Sequence, residues 1–237
     1  MILPPFVGPQ AGKGALPALF YFALSAEESL FQDPFNQPVM ALQSDSLRIF
    51  SFSLPFHGEG MKADDALTHW AKTMEQGEPL LEDFFAYACN VIENLIEEGI
   101  VLKDKIAIAG LSRGAFVATH IATRIDAIQT ILGFSPLTKL SCCKEFIHFP
   151  HQELDLETLA PRLVGKKLRY YIGNHDTRVS TRSCFEFIEK LVTKSSIERI
   201  RSAPVELNLF PSIGRHGHGT PPEIFKDGAR WIKERLL

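Results

Sequence analysis

Short apolar runs alternate with longer amphipathic stretches along most of this chain, and that alternation restricts its fold more than any other feature. Residues 18–24 (Ala-Leu-Phe-Tyr-Phe-Ala-Leu) are apolar throughout and read as a strand buried on both faces. Residues 47–54 read as a second strand, ended by Pro55 and by the glycines at 58 and 60. Between residues 80 and 98, Leu81, Phe84, Phe85, Ala88, Val91, Ile92 and Ile96 fall on one stripe of a helix. Strands are expected at 105–109, 127–134, 168–172 and 205–210, and helices at 114–124 and 183–192. Pro221 or Pro222 opens a last helix that runs to about Leu236. Strands alternating with helices imply an α/β fold with a mostly parallel sheet covered on both faces. In such sheets chemistry gathers at the carboxyl ends of the strands. The places to look are therefore just after Leu24, Leu54, Ala109, Phe134, Ile172 and Phe210. Residues 138–164 carry no clear strand and are expected to form a small lid or a surface excursion.

Composition sets outer limits. A length of 237 residues fits a single domain over 1–237 with a core large enough to need no staples. A net charge of −3 speaks against a non-specific binder of nucleic acid. No apolar run reaches the roughly 18 residues of a membrane-spanning helix. The start, Met1-Ile2-Leu3-Pro4-Pro5, lacks the basic region of a signal peptide. The four cysteines, Cys89, Cys142, Cys143 and Cys184, form no Cys-x-x-Cys, and Cys142 and Cys143 are adjacent, a poor geometry for pairing with each other. Reduced thiols and a cytoplasmic location are the expectation.

The sharpest motif is Gly110-Leu111-Ser112-Arg113-Gly114, set between the strand at 105–109 and the helix at 114–124. A Gly-x-Ser-x-Gly in strand–turn–helix context is the setting of a nucleophile elbow. The turn is tight, so a Cβ at either glycine would clash with neighbouring backbone. The helix that begins just behind Ser112 turns its positive end toward developing negative charge. The plainer alternative is a tight turn with an inert serine.

With that motif the chain resembles the α/β-hydrolase family over nearly its whole length. Ser112 looks like the family's nucleophile. Leu54-Pro55-Phe56-His57-Gly58-Glu59-Gly60 is similar to the family's Pro-Gly-His-Gly turn, with Phe56 in place of a glycine. Phe134-Ser135-Pro136 resembles the segment that follows the next strand. The first strand comes early, which implies that one or both of the family's opening antiparallel strands are reduced or absent.

A serine hydroxyl needs an adjacent base, and the base needs an orienting carboxylate. The resemblance implies the chain order serine, acid, histidine. Gly173-Asn174-His175-Asp176-Thr177-Arg178-Val179 is similar to the family's acid loop, which makes Asp176 the acid; its alternative role is to cap its own turn. Two histidines follow the last strand. His218, in Gly-His-Gly, matches the family's histidine loop better, and His216 is the alternative base. The remaining histidines read as surface, core or turn residues. An oxyanion hole needs two backbone N–H donors. Arg113 and Leu24 are the expected pair, although the loop after the first strand lacks the His-Gly-Gly-Gly of lipases. The Arg113 side chain is expected in an exposed salt bridge, with binding of an acidic substrate group as the alternative.

These expectations amount to a serine esterase that takes a small-molecule ester or acyl substrate, with no cofactor, no metal and no nucleic acid. A thioesterase, an amidase or a peptidase similar to prolyl oligopeptidase catalytic domains would use the same residues. A catalytically silent binding protein is the alternative from another class. His216, His218, His175 and Asp176 also admit a metal reading, though their spacing matches no known motif. Phe52, Phe56, Phe134, Phe146 and Phe149 are expected to be core residues, with an aromatic substrate pocket as the alternative.

Overall fold

The computed structural model describes residues 3–44, 46–58 and 60–237. Among these described residues seven strands form one sheet: β1 (Phe6–Val7), β2 (Leu16–Phe22), β3 (Arg48–Phe50), β4 (Val101–Leu111), β5 (Thr130–Phe134), β6 (Lys167–Gly173) and β7 (Val205–Phe210). Their order is β1-β3-β2-β4-β5-β6-β7. Every pairing is parallel except that of β1 with β3. Among the described residues the antiparallel part of the sheet is the two-residue β1, in line with the expectation of reduced opening strands.

The continuous apolar run of β2 follows from its central place. Alternate side chains enter opposite faces of the sheet. Leu19 and Tyr21 join one core layer, together with Leu132, Phe134 and Trp231. Phe20 and Phe22 join the other, together with Trp70, Phe85, Phe116 and Tyr170. On the first face pack α2 (Gln37–Leu42) and α8 (Pro222–Leu236). On the second pack α3 (Ala66–Glu75), α4 (Leu80–Glu97), α5 (Arg113–Ala122) and α7 (Thr181–Ile197). A short helix, α1 (Ala26–Phe31), follows β2 and is closed by a capping box between Ser25 and Glu28.

Several boundaries differ from the sequence expectation. The strand expected over 47–54 stops at Phe50. Beyond it, Ser51 N–H bonds Pro5 O and Leu54 N–H bonds Leu24 O, so the chain stays extended but leaves the ladder. The strand expected from 127 starts at Thr130, because a turn closed by Ile128 N–H on Ile125 O precedes it. β4 is longer at both ends than 105–109.

Residues 138–164 are a packed excursion of short turns ending in α6 (Ala160–Leu163). Leu140, Phe146, Leu156 and Leu163 are buried. Lys139 ties the excursion to itself and to α7 through Glu157 at 2.6 Å and Glu186 at 3.1 Å. Among the described residues no helix is long and apolar enough to cross a membrane.

Candidate active site

The turn from β4 into α5 places Ser112 at φ 55°, ψ −117°, a conformation that non-glycine residues avoid. Both ends of the strained residue are anchored. Its N–H bonds Phe134 O at 2.8 Å, and its own carbonyl accepts from Ala115 N at 3.0 Å and Leu137 N at 3.2 Å. The two glycines supply clearance. A Cβ at Gly110 would stand 2.2 Å from the Gly114 carbonyl carbon, and one at Gly114 would stand 2.0 Å from Phe22 O. Neither obstacle is a flexible side chain, so the backbone itself would have to move. Gly114→Ala is accordingly expected to cost about 3 kcal/mol or more. A chemical-denaturation midpoint equal to that of the parent protein would contradict this account.

Asp176 follows β6 and is buried. One carboxylate oxygen, Oδ1, accepts from Arg178 N at 2.9 Å and Val179 N at 3.1 Å. The other, Oδ2, lies 2.7 Å from His218 Nδ1. The two roles considered for Asp176, turn cap and partner to histidine, are thus divided between its two oxygens. An ionised carboxylate only accepts, so His218 carries its proton on Nδ1. That leaves Nε2 free to accept from Ser112 Oγ, 2.9 Å away.

His216 takes no part in this relay. It sits exposed at φ 59° and contributes its backbone carbonyl, which accepts from Thr177 N at 2.9 Å. With both ring nitrogens of His218 engaged by Asp176 and Ser112, the relay leaves it no lone pair for a metal.

The two loops that carry acid and histidine are stitched together. His175 N–H bonds Ser212 Oγ at 2.7 Å, and Ser212 N–H bonds Asn174 Oδ1 at 3.1 Å. Gly217, at φ 71°, passes so close that a Cβ there would lie 2.3 Å from His175 O.

The two expected oxyanion donors differ in state. The Arg113 N–H opens α5, where the helical ladder offers it no acceptor. The Leu24 N–H is already directed at Ser29 Oγ, at a long 3.2 Å. Ser29 accepts from Ala23 N as well, at 3.0 Å, and the next two amides bond Glu28 Oε2 and Ser53 Oγ. Ser29 was not singled out from the sequence. Its signal is that it lies four residues after the capping serine, and its hydroxyl bonds Ser25 O.

Ser112 and His218 open onto a cavity of about 620 Å³. Its aromatic lining is Phe35 and Phe225. Phe52, Phe134 and Phe146 are core residues, as expected, and Phe149 is exposed. A second concavity of about 550 Å³ lies behind the acid loop, between α7 and β7, and includes neither Ser112 nor His218.

The Arg113 side chain departs from expectation. It is 8% exposed and forms no ion pair among the described residues. Its Nη1 donates to Ala63 O at 3.0 Å and lies 3.2 Å from His57 Nε2. His57, expected to be unremarkable, is 2% exposed, and its Nδ1 is 2.8 Å from Pro55 O. Burial, reinforced by the neighbouring Arg113 charge, pulls its pKa down to about 4. The ring is therefore neutral near pH 7, with Nδ1–H donating to Pro55 and Nε2 accepting from Arg113.

Comparison of the sequence with protein-family models gave no match, and neither did comparison with curated proteins. Solved structures do match. A Thermus thermophilus protein is 15% identical, with a TM-score of 0.67 over 99% of this chain and 91% of its own. An esterase of Pyrococcus furiosus is 19% identical, with a TM-score of 0.63 over 94% of this chain and 84% of its own. The acylaminoacyl peptidase of Pyrococcus horikoshii is 18% identical, with a TM-score of 0.67 over 98% of this chain. This chain has the α/β-hydrolase fold. It spans 39% of the peptidase's length, so the peptidase carries much chain that has no counterpart here.

Proposed function

We propose that this protein is a serine hydrolase that cleaves carboxylic esters through an acyl-enzyme on Ser112. The observation that carries the reading is the unbroken relay from Ser112 Oγ through His218 to Asp176, at 2.9 and 2.7 Å, on a strained turn facing a cavity.

In this reading Ser112 Oγ attacks the substrate carbonyl while His218 Nε2 takes its proton. Asp176 holds the ring in the required tautomer and stabilises the imidazolium that forms. The Arg113 N–H and the positive end of α5 meet the oxyanion. Leu24 N–H is the proposed second donor, turning from its long bond with Ser29 to the stronger acceptor. His218 then protonates the departing alkoxide. Water enters, gives its proton to the same nitrogen and releases the acid. No cofactor is called for.

The same relay would serve thioesters and amides. Esters come first because two of the similar structures are esterases of comparable length, matched over 84% and 83% of their chains. Labelling with a fluorophosphonate, followed by mass spectrometry of the modified peptide, tests the reading. An adduct on Ser112 is the expected result. A folded protein that takes no label would mean an unactivated serine, and a binding role would then replace the enzymatic one.

A further inference from the structure

Each loop that delivers a member of the relay also delivers an arginine to the cavity wall. Arg113 follows Ser112, Arg178 stands two residues after Asp176, and Arg215 stands three before His218. Among the described residues none of the three is in an ion pair. The one carboxylate on the same wall, Asp64, is exposed and also unpaired among them. This cationic wall belongs to a chain whose net charge is −3.

Arg113 is the telling member. A guanidinium more than nine-tenths buried with no ion pair among the described residues is costly and needs a reason. Its end is fixed from behind, Nη1 being held by His57 and Ala63. The Nε–H and Nη2–H donors bond no described residue. Those two donors form one edge of the guanidinium, two parallel N–H bonds that match a carboxylate. Burial and the nearby Arg178 lower the Arg113 pKa to about 10, while Cys143, Glu145 and Asp64 pull it the other way, so the group stays charged near neutral pH.

We propose that the cavity selects substrates bearing a carboxylate in addition to the scissile ester, and that the free edge of Arg113 binds this carboxylate, with Arg178 and Arg215 adding attraction. The proposal rests on the hydrolase reading above for its chemistry, but not for its binding. His57 is the positioning residue that aims the guanidinium.

The test uses matched pairs of esters. On the acyl side, 4-nitrophenyl hydrogen adipate is compared with 4-nitrophenyl methyl adipate. On the alcohol side, 3-butyryloxybenzoate is compared with 3-butyryloxybenzamide. At least one charged ester is expected to exceed its neutral partner in kcat/KM by about tenfold or more, as a charge-assisted bidentate pair allows. That ratio should fall to about one in Arg113→Met and part-way in Arg178→Met, which serves if the first variant does not fold. Equal or faster turnover of both neutral partners by the active parent protein would overturn the proposal. If no ester is turned over, calorimetric titration of the Ser112→Ala protein with adipate decides. Binding that Arg113→Met removes supports the anion site, and no binding overturns it. Fluorophosphonate labelling reports separately on the serine, so the two readings fail distinguishably.

Discussion

Ser112→Ala is expected to lower kcat for ester hydrolysis by about 10⁶-fold while leaving the protein folded. The loss is large because His218 and Asp176 have no function in covalent catalysis once the nucleophile is gone. What remains is the amide cradle and the cavity, which bind and polarise the carbonyl and account for a residual rate some 10³-fold or more above water. Stability should change little, since among the described residues the Ser112 side chain makes one hydrogen bond, to His218 Nε2. The bonds that hold the turn run through its backbone, to Phe134, Ala115 and Leu137, and alanine keeps them all. The check is a progress curve with an activated ester beside a thermal melt. Full activity in the variant would place the nucleophile elsewhere and end the assignment. Loss of activity together with the fold would leave labelling of the parent protein as the deciding measurement.

The second large effect is expected at Asp176. Asp176→Asn should reduce kcat by about 10⁴-fold, by a different route. The two backbone N–H groups of Arg178 and Val179 demand an acceptor at Oδ1, and the asparagine carbonyl oxygen supplies it. The new NH₂ group is then forced toward His218 Nδ1. A donor there requires Nδ1 to be the bare nitrogen, which moves the ring proton to Nε2. Nε2 can then no longer accept from Ser112, although every heavy atom stays in place. The turn keeps its cap, so the melting temperature should stay within a few degrees of the parent. A loss below tenfold would show that the carboxylate neither sets the tautomer nor stabilises the charged ring.

Much of this arrangement was legible in the sequence because it is local. Gly110, Ser112 and Gly114 lie within five residues, and the apolar strand before them and the amphipathic helix behind them each span one short window. β7 is read residue for residue, since Val205–Phe210 alternates apolar residues with Glu206 and Asn208 between Pro204 and Pro211. The segment between β2 and β4 was harder to read. α1 and α2 have six residues each, too few turns to show a stripe, and Pro34 and Pro38 break the pattern further. β1 has two residues and owes its existence to pairing with β3, some 40 positions away. The burial of Arg113 was illegible for the same reason. Its partners, His57 and Ala63, are more than 49 residues upstream, and nothing adjacent to Arg113 announces them. Leu24 follows from position alone, and position says nothing about a hydroxyl at Ser29 that claims its amide.

The stitching between the acid and histidine loops has a consequence for engineering. Because Asn174, His175 and Thr177 bond directly to Ser212 and His216, the two loops behave as one transplantable cassette carried on adjacent strands. A library that varies the length of one loop alone would tear that seam and misplace the imidazole, whatever residues were chosen. The opposite rim, built from residues 34–35 and Asp64, contributes no member of the Ser112–His218–Asp176 relay. Diversity introduced there would reshape what the cavity admits while the cassette keeps its register, and that rim is the natural place to begin retargeting the protein.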